Sequence, residues 1–206
     1  MKNIFLLLII LLLTGSVYAQ QQCFNENYKL SKRPPTIAVV PLVKNEKDCF
    51  RAMYKSLKSD SLKNINMASI EIVYNNMLNN MSLKKWLDII TKKEFPCAEV
   101  KQKASIAPLI GEDMKNMVKT LDNADLVIVV TDYKETKAKK PGTPGTAKVT
   151  GRFRMYDLIT GDVILDYKAE QKLPYTETDP RKFMEALAEN FHAYYIKNFV
   201  ARNAIN

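Results

Sequence analysis

Two runs of largely β-branched residues set the terms for this chain: "TIAVVPL" at 36–42 and "ADLVIVVTDY" at 124–133. Neither alternates apolar with polar, so each predicts a strand buried on both faces, as in sheets covered by helices on both sides. Elsewhere the apolar spacing is helical. Phe50, Met53, Tyr54 and Leu57 recur at that interval behind Asp48, a suitable N-cap. Leu83, Trp86, Leu87 and Ile90 share one face of a helix that starts near Ser82 and stops at "KEFP", and Met114, Met117, Val118 and Leu121 mark another. "SIEIVY", 69–74, fits a strand or a helix, and both readings stay open. The helix–strand rhythm gives an α/β fold built on a single mixed sheet flanked by helices.

The end of the chain adds a β-hairpin and a last helix. In "RFRMYDLITGDVILDYKAEQ", 152–171, the apolar positions of both arms are odd-numbered, so directly opposed residues must have numbers summing to an even value. A three-residue loop, Ile159-Thr160-Gly161, meets that condition, with Gly161 free to take the left-handed position. It sets Met155 against Leu165, Phe153 against Tyr167 and Arg154 against Asp166. This register accounts for the hairpin as architecture, without a ligand. Asp179 then caps a C-terminal helix with Pro180 at its first position, and Met184, Leu187, Ala188, Phe191, Tyr195 and Phe199 form its apolar stripe.

The first nineteen residues read as a secretory signal peptide. Lys2 precedes the apolar run Ile4–Leu13, which is too short to span a bilayer, and Val17-Tyr18-Ala19 supplies the small residues of a cleavage site. Gln20-Gln21-Gln22 before Cys23 argue against a lipidated cysteine. Residues 20–35 read as a polar leader ending at Arg33-Pro34-Pro35, and 36–206 as one α/β domain. Removing residues 1–19 takes away only Lys2, so a net charge of +9 becomes +8. That excess favours anionic partners; export makes nucleic acid an unsuitable one. Three cysteines in an oxidising compartment imply one disulfide and one free thiol. Spacing alone does not fix the pair; Cys49–Cys97 is the expected one because both lie in ordered segments.

Catalytic and cofactor signatures are weak. His192 is the sole histidine, three residues after Glu189 on the last helix, and reads as a solvated neighbour rather than a base. The cysteine spacing fits no zinc site. Asp157 with Asp162, and Asp122 with Asp125, occupy turn and helix-end positions where acids are common. No cofactor or metal site is expected, and a hydrolase with an unrecognised site ranks third among the functions. The candidate binding residues are basic: Lys134, Lys137, Lys139, Lys140 and Lys148 in "KETKAKKPGTPGTAK", 134–148, read as a flexible loop, with Arg152 and Arg154 on the adjoining polar face of the hairpin.

The series "IAVVPL", helix, less regular middle, "ADLVIVV", "YDLITGDVIL" and final helix resembles a bacterial envelope domain. It is the α/β domain shared by the curli-export channel subunit, the lipoprotein activators of penicillin-binding proteins, and the N-terminal domain of the periplasmic Tol translocation protein. The likeness runs over about 36–201. It implies a periplasmic, non-enzymatic module that docks on another envelope protein. The chain departs from the channel-forming relative: the lipobox is missing, and 134–148 lacks the apolar alternation of a barrel strand. A binder of lipopolysaccharide, acidic glycan or lipid through 134–154 is the alternative.

Overall fold

A computed structural model describes residues 22–30, 34–44, 46–59, 65–138, 145–174, 180–195 and 199. The signal-peptide reading, Asp179, Lys139 and Lys140 fall outside them. Six strands, β1 (Gln22–Phe24), β2 (Thr36–Pro41), β3 (Asn66–Met67), β4 (Leu126–Ala138), β5 (Thr146–Asp157) and β6 (Val163–Pro174), form one mixed sheet in the order β1-β6-β5-β4-β2-β3. β2 runs parallel to β3 and β4, while β4, β5, β6 and β1 are successively antiparallel. The two β-branched runs are the parallel centre, and Ile37–Val40 and Leu126–Val130 are buried throughout.

Among the described residues seven α-helices accompany the sheet: α1 (Glu46–Ser59), α2 (Ile70–Asn79), α3 (Met81–Lys92), α4 (Cys97–Gln102), α5 (Ala107–Ile110), α6 (Met114–Thr120) and α7 (Pro180–Tyr195). The open choice at 69–74 resolves as helix, because Ser69 caps α2 with its hydroxyl accepting from Ile72 N. Asn80 caps α3 in the same manner, so the helix starts at Met81, one residue ahead of the expected Ser82. α7 lies against the odd-numbered face of β5: Phe191 stacks on Phe153 at 4.6 Å, and α1 joins that layer where Ser56 Oγ donates to Ala188 O. α3 lies against the even-numbered face, where Tyr156 OH donates to Ile90 O.

The hairpin register is as expected, with Phe153↔Tyr167, Arg154↔Asp166 and Met155↔Leu165 paired. Nearer the turn it slips by one residue, to Tyr156↔Val163. The turn is also longer, closed by Gly161 N donating to Asp157 O, with Asp157 Oδ1 accepting from Ile159 N and Thr160 N. Gly161 sits at φ +79°, and a Cβ there would lie 2.8 Å from Ala107 Cβ. Glycine is therefore required both for the turn and for the approach of α5.

Three expectations need correction. Part of the polar leader belongs to the sheet: β1 pairs with β6, Asn25 N donates to Ile164 O, and Tyr28 OH donates to the buried Asp157. The disulfide is Cys23–Cys97, leaving Cys49 free and buried. Cys23 is paired across from Asp166, on the face where α4 begins at Cys97, whereas Cys49 lies on α1 in the layer beyond the other face. The sheet separates the expected partners. Finally, 134–148 is not one loop: residues 134–138 prolong β4 and 146–148 begin β5, paired from Lys134↔Thr150 to Ala138↔Thr146.

Candidate functional site

These extensions make β4, β5 and β6 a three-stranded ribbon that runs on past the parallel centre. β2 pairs with β4 only as far as Val130, and β1 pairs with β6 only over Leu165–Tyr167. Directly opposed residues share a face, so the even-numbered face of β5 collects Arg154, Arg152, Thr150 and Lys148 in a line. β6 adds Asp166, Lys168, Glu170 and Lys172 beside them.

On β4 the line depends on a bulge. The register shifts between Thr131 and Lys134, with Asp132 at φ +57°. The extra residue puts Lys134 opposite Thr150 and Thr136 opposite Lys148, on the even face, while Tyr133 turns to the other side. There the Tyr133 hydroxyl is pushed up to about 12 by burial, with the nearby Glu135 and Cys49 adding to the shift.

The inner half of the face is closed by the end of α3. Arg152 gives Nε and Nη2 to Asp166 at 2.7 and 2.5 Å, and Nη1 and Nη2 to Glu94 at 2.7 Å each. Arg154 gives Nη1 to Thr91 O and Lys93 O at 2.9 and 3.1 Å, and Nη2 to Glu94 at 3.0 Å, with its Nε 3.3 Å from Asp166. Arg154 thus satisfies carbonyls at the C-terminal, negative end of a helix dipole. Two guanidinium groups meet two carboxylates, so the cluster is neutral. Hydrogen bonds from Arg152 hold the Glu94 carboxyl down at about 2, partial burial opposes the shift, and the charges of Arg154 and Arg152 reinforce it. Arg152 and Arg154 are 4% and 1% exposed. Neither presents its charge to a surface ligand.

The outer half is open. Lys134, Lys168 and Lys172 are exposed and Lys148 is partly so, its Nζ 2.7 Å from Glu170. Four lysines there face one acid. Of the residues proposed from sequence, Lys134 and Lys148 belong to this set. Lys137 lies opposite Ala147 on the other face and pairs with Glu135 at 2.9 Å. Lys168 and Lys172 were missed as site residues; their signal was the period-2 alternation of β6, which places them on the same face as Arg152.

The carboxylates singled out in sequence serve backbone geometry. Asp125 accepts from Thr36 N at 2.8 Å and Asp122 from Ser69 N at 2.8 Å. Asp157 holds its own turn and Tyr28. His192 is half-buried on α7. Among the described residues no three His, Cys, Asp or Glu side chains are grouped to hold a metal, and no helix is long and apolar enough to cross a membrane.

No protein family matches this chain, and neither does any curated protein. Solved structures do. The lipoprotein GNA1162 from Neisseria meningitidis is 12% identical at a TM-score of 0.40, over 82% of this chain and 100% of that one. A minor lipoprotein from Acinetobacter baumannii is 8% identical at 0.40, over 82% and 94%. A PelC dodecamer subunit from Paraburkholderia phytofirmans is 10% identical at 0.38, over 82% and 89%.

Proposed function

We propose that this chain is an exported, non-enzymatic module of the cell envelope that docks on another envelope protein through the outer half of the ribbon. One observation carries the reading: Lys134, Lys148, Lys168 and Lys172 stand on one face of three successive strands, with β5 paired to β4 on one side and β6 on the other, so their spacing is fixed by the sheet. Such an array suits an acidic protein surface, because complementary charge steers encounter and sets register. The secretory reading of residues 1–19 supports export, and the resemblance of the sequence motifs to those of envelope docking domains supports a protein partner. The non-enzymatic part draws on the buried acids and arginines: Asp125, Asp157, Asp166, Arg152 and Arg154 are all engaged in holding the fold. The same lysines favour a second reading, attachment to an anionic glycan or lipid.

The test is a photo-crosslinking residue at Thr136 or Thr150, between the lysines, compared with one at Lys115 on α6. In intact cells the ribbon positions should capture one discrete envelope protein and Lys115 should not. Adducts with lipopolysaccharide or lipid alone would establish the second reading. Equal capture from all three positions would remove the ribbon as the docking surface.

A further inference from the structure

A cleft of about 310 Å³ lies between α1 and α2, on different elements from the ribbon, and the sheet-face chemistry does not use it. Its wall is aromatic: Phe50, 2% exposed, meets Tyr74 edge-on at 5.8 Å, and Ile70 completes the apolar surface. Behind this wall Phe50 and Ile70 also line a separate small void that borders Val39 of β2. The rim is cationic. Lys47 holds its Nζ 5.5 Å from the centre of the Tyr74 ring, and Arg51, one helical turn further along α1, also lines the cleft. Glu71 is the one acid among the described lining residues.

We infer that this cleft binds a small monocarboxylate with an apolar body, an aryl or medium-chain alkyl acid. Its apolar part lies on Phe50, Tyr74 and Ile70, and its carboxylate between Lys47 and Arg51. Small-molecule sites combine mostly apolar walls with a few placed polar groups, and their volumes run from about 300 to 1,000 Å³. This cleft is at the lower end, which suits a single ring or chain and not a two-chain lipid. Arg51 can grip a carboxylate through two parallel N–H donors, and Lys47 adds a point charge. Two cations against one acid leave the rim short of one negative charge, which a monoanion supplies.

The experiment is an NMR titration of the full chain with 4-phenylbutyrate, with 4-phenylbutan-1-ol as the neutral counterpart. The acid should give saturable shifts confined to α1, α2 and β2. Lys47→Ser with Arg51→Ser should weaken it by about tenfold while the rest of the spectrum is unchanged, and the alcohol should bind about tenfold more weakly. Asn75→Trp, at an exposed position on the cleft wall, should abolish binding with both cations in place. Equal affinity for acid and alcohol would overturn the assignment. So would undiminished binding by the double variant, shifts mapping elsewhere, or no saturation in the millimolar range. A tighter response there to an acidic peptide than to the acid would also overturn it.

Discussion

Arg152 and Lys148 point from the same face of β5, four residues apart, and meet opposite circumstances. Arg152 has the end of α3 over it, is 4% exposed and makes four hydrogen bonds to two carboxylates. Lys148 stands beyond that helix, only partly buried, with its Nζ 2.7 Å from Glu170, and lies among three further lysines. Water makes the difference. Under the helix every charge has to be matched, because an uncompensated ion in low dielectric costs several kcal/mol. In the open, excess charge is tolerated, since an exposed pair contributes only about 0.2–1 kcal/mol. Residue type follows: arginine, with its planar fork of donors, occupies the closed half, and lysine, a hydrated point charge, the open half.

The comparison breaks most directly at Asp166. Asp166→Asn removes the carboxylate on which both arginines converge and leaves their charge under α3 with Glu94 alone. The expected loss is about 3–5 kcal/mol, read from urea unfolding midpoints. A loss under about 1 kcal/mol would mean that water reaches the arginines and that the two halves do not differ. The Cys23–Cys97 disulfide fences the closed half on the β1 side and joins residues 74 apart in sequence. Replacing both cysteines with serine should lower stability by about 2–4 kcal/mol. The remaining thiol, Cys49, is pushed up to about 12 by burial. Thiol titration should therefore find one reactive group in the unfolded oxidised protein and none in the native one.

Glu94 lies on the boundary, bonded to both arginines yet 67% exposed. Its folded pKa of about 2 lies below the ordinary 4.5. Its contribution is thus complete above pH 4.5 and is lost as pH falls towards 2. Solvent on its outer side limits that contribution to about 1 kcal/mol. Glu94→Gln should flatten the decline of the unfolding midpoint across that interval and change little at pH 7 beyond a small uniform loss. An unchanged acid slope would place the acid sensitivity in other groups.

Much of the closed half was legible in the sequence. The odd-numbered apolar positions of 152–171 give the pairing of Arg154 with Asp166, and the unbroken runs at 36–42 and 124–133 give the parallel centre, because burial on one or both faces writes itself as a period. What could not be read was partnership between distant segments. Glu94, within "KEFP" at 93–96, looks like a helix-stop residue, and nothing local says that two arginines about 60 positions later will bind it. The same holds for Cys23, whose polar neighbours suggest a leader while its backbone is held by β6. The ribbon was hidden by a different cause. Five lysines, two prolines and two glycines in 134–148 look like loop, and a single bulge at Asp132 resets which residues of β4 face outward.

The smallest expected change in stability comes from the open half, and it sharpens the comparison most. Lysines on outer strands also guard sheet edges against pairing with other chains, and Lys134, Lys168 and Lys172 lie on the ribbon's two outer strands. Edge protection and docking predict different results for Lys134→Ser, Lys148→Ser, Lys168→Ser and Lys172→Ser combined. Each substitution should change stability by no more than about ±0.5 kcal/mol, because three of these side chains are exposed and the fourth is only partly buried. If the lysines only guard the edges, the variant should self-associate in sedimentation while still capturing its envelope partner through a crosslinker at Thr150. If they form the docking surface, capture should fail in a variant that remains monomeric at low concentration, and wild-type capture should weaken as salt rises and screening shortens to about 8 Å or less. Docking is the expected outcome. Lys148 supports it, because it lies on the central strand of the ribbon, where there is no edge to guard.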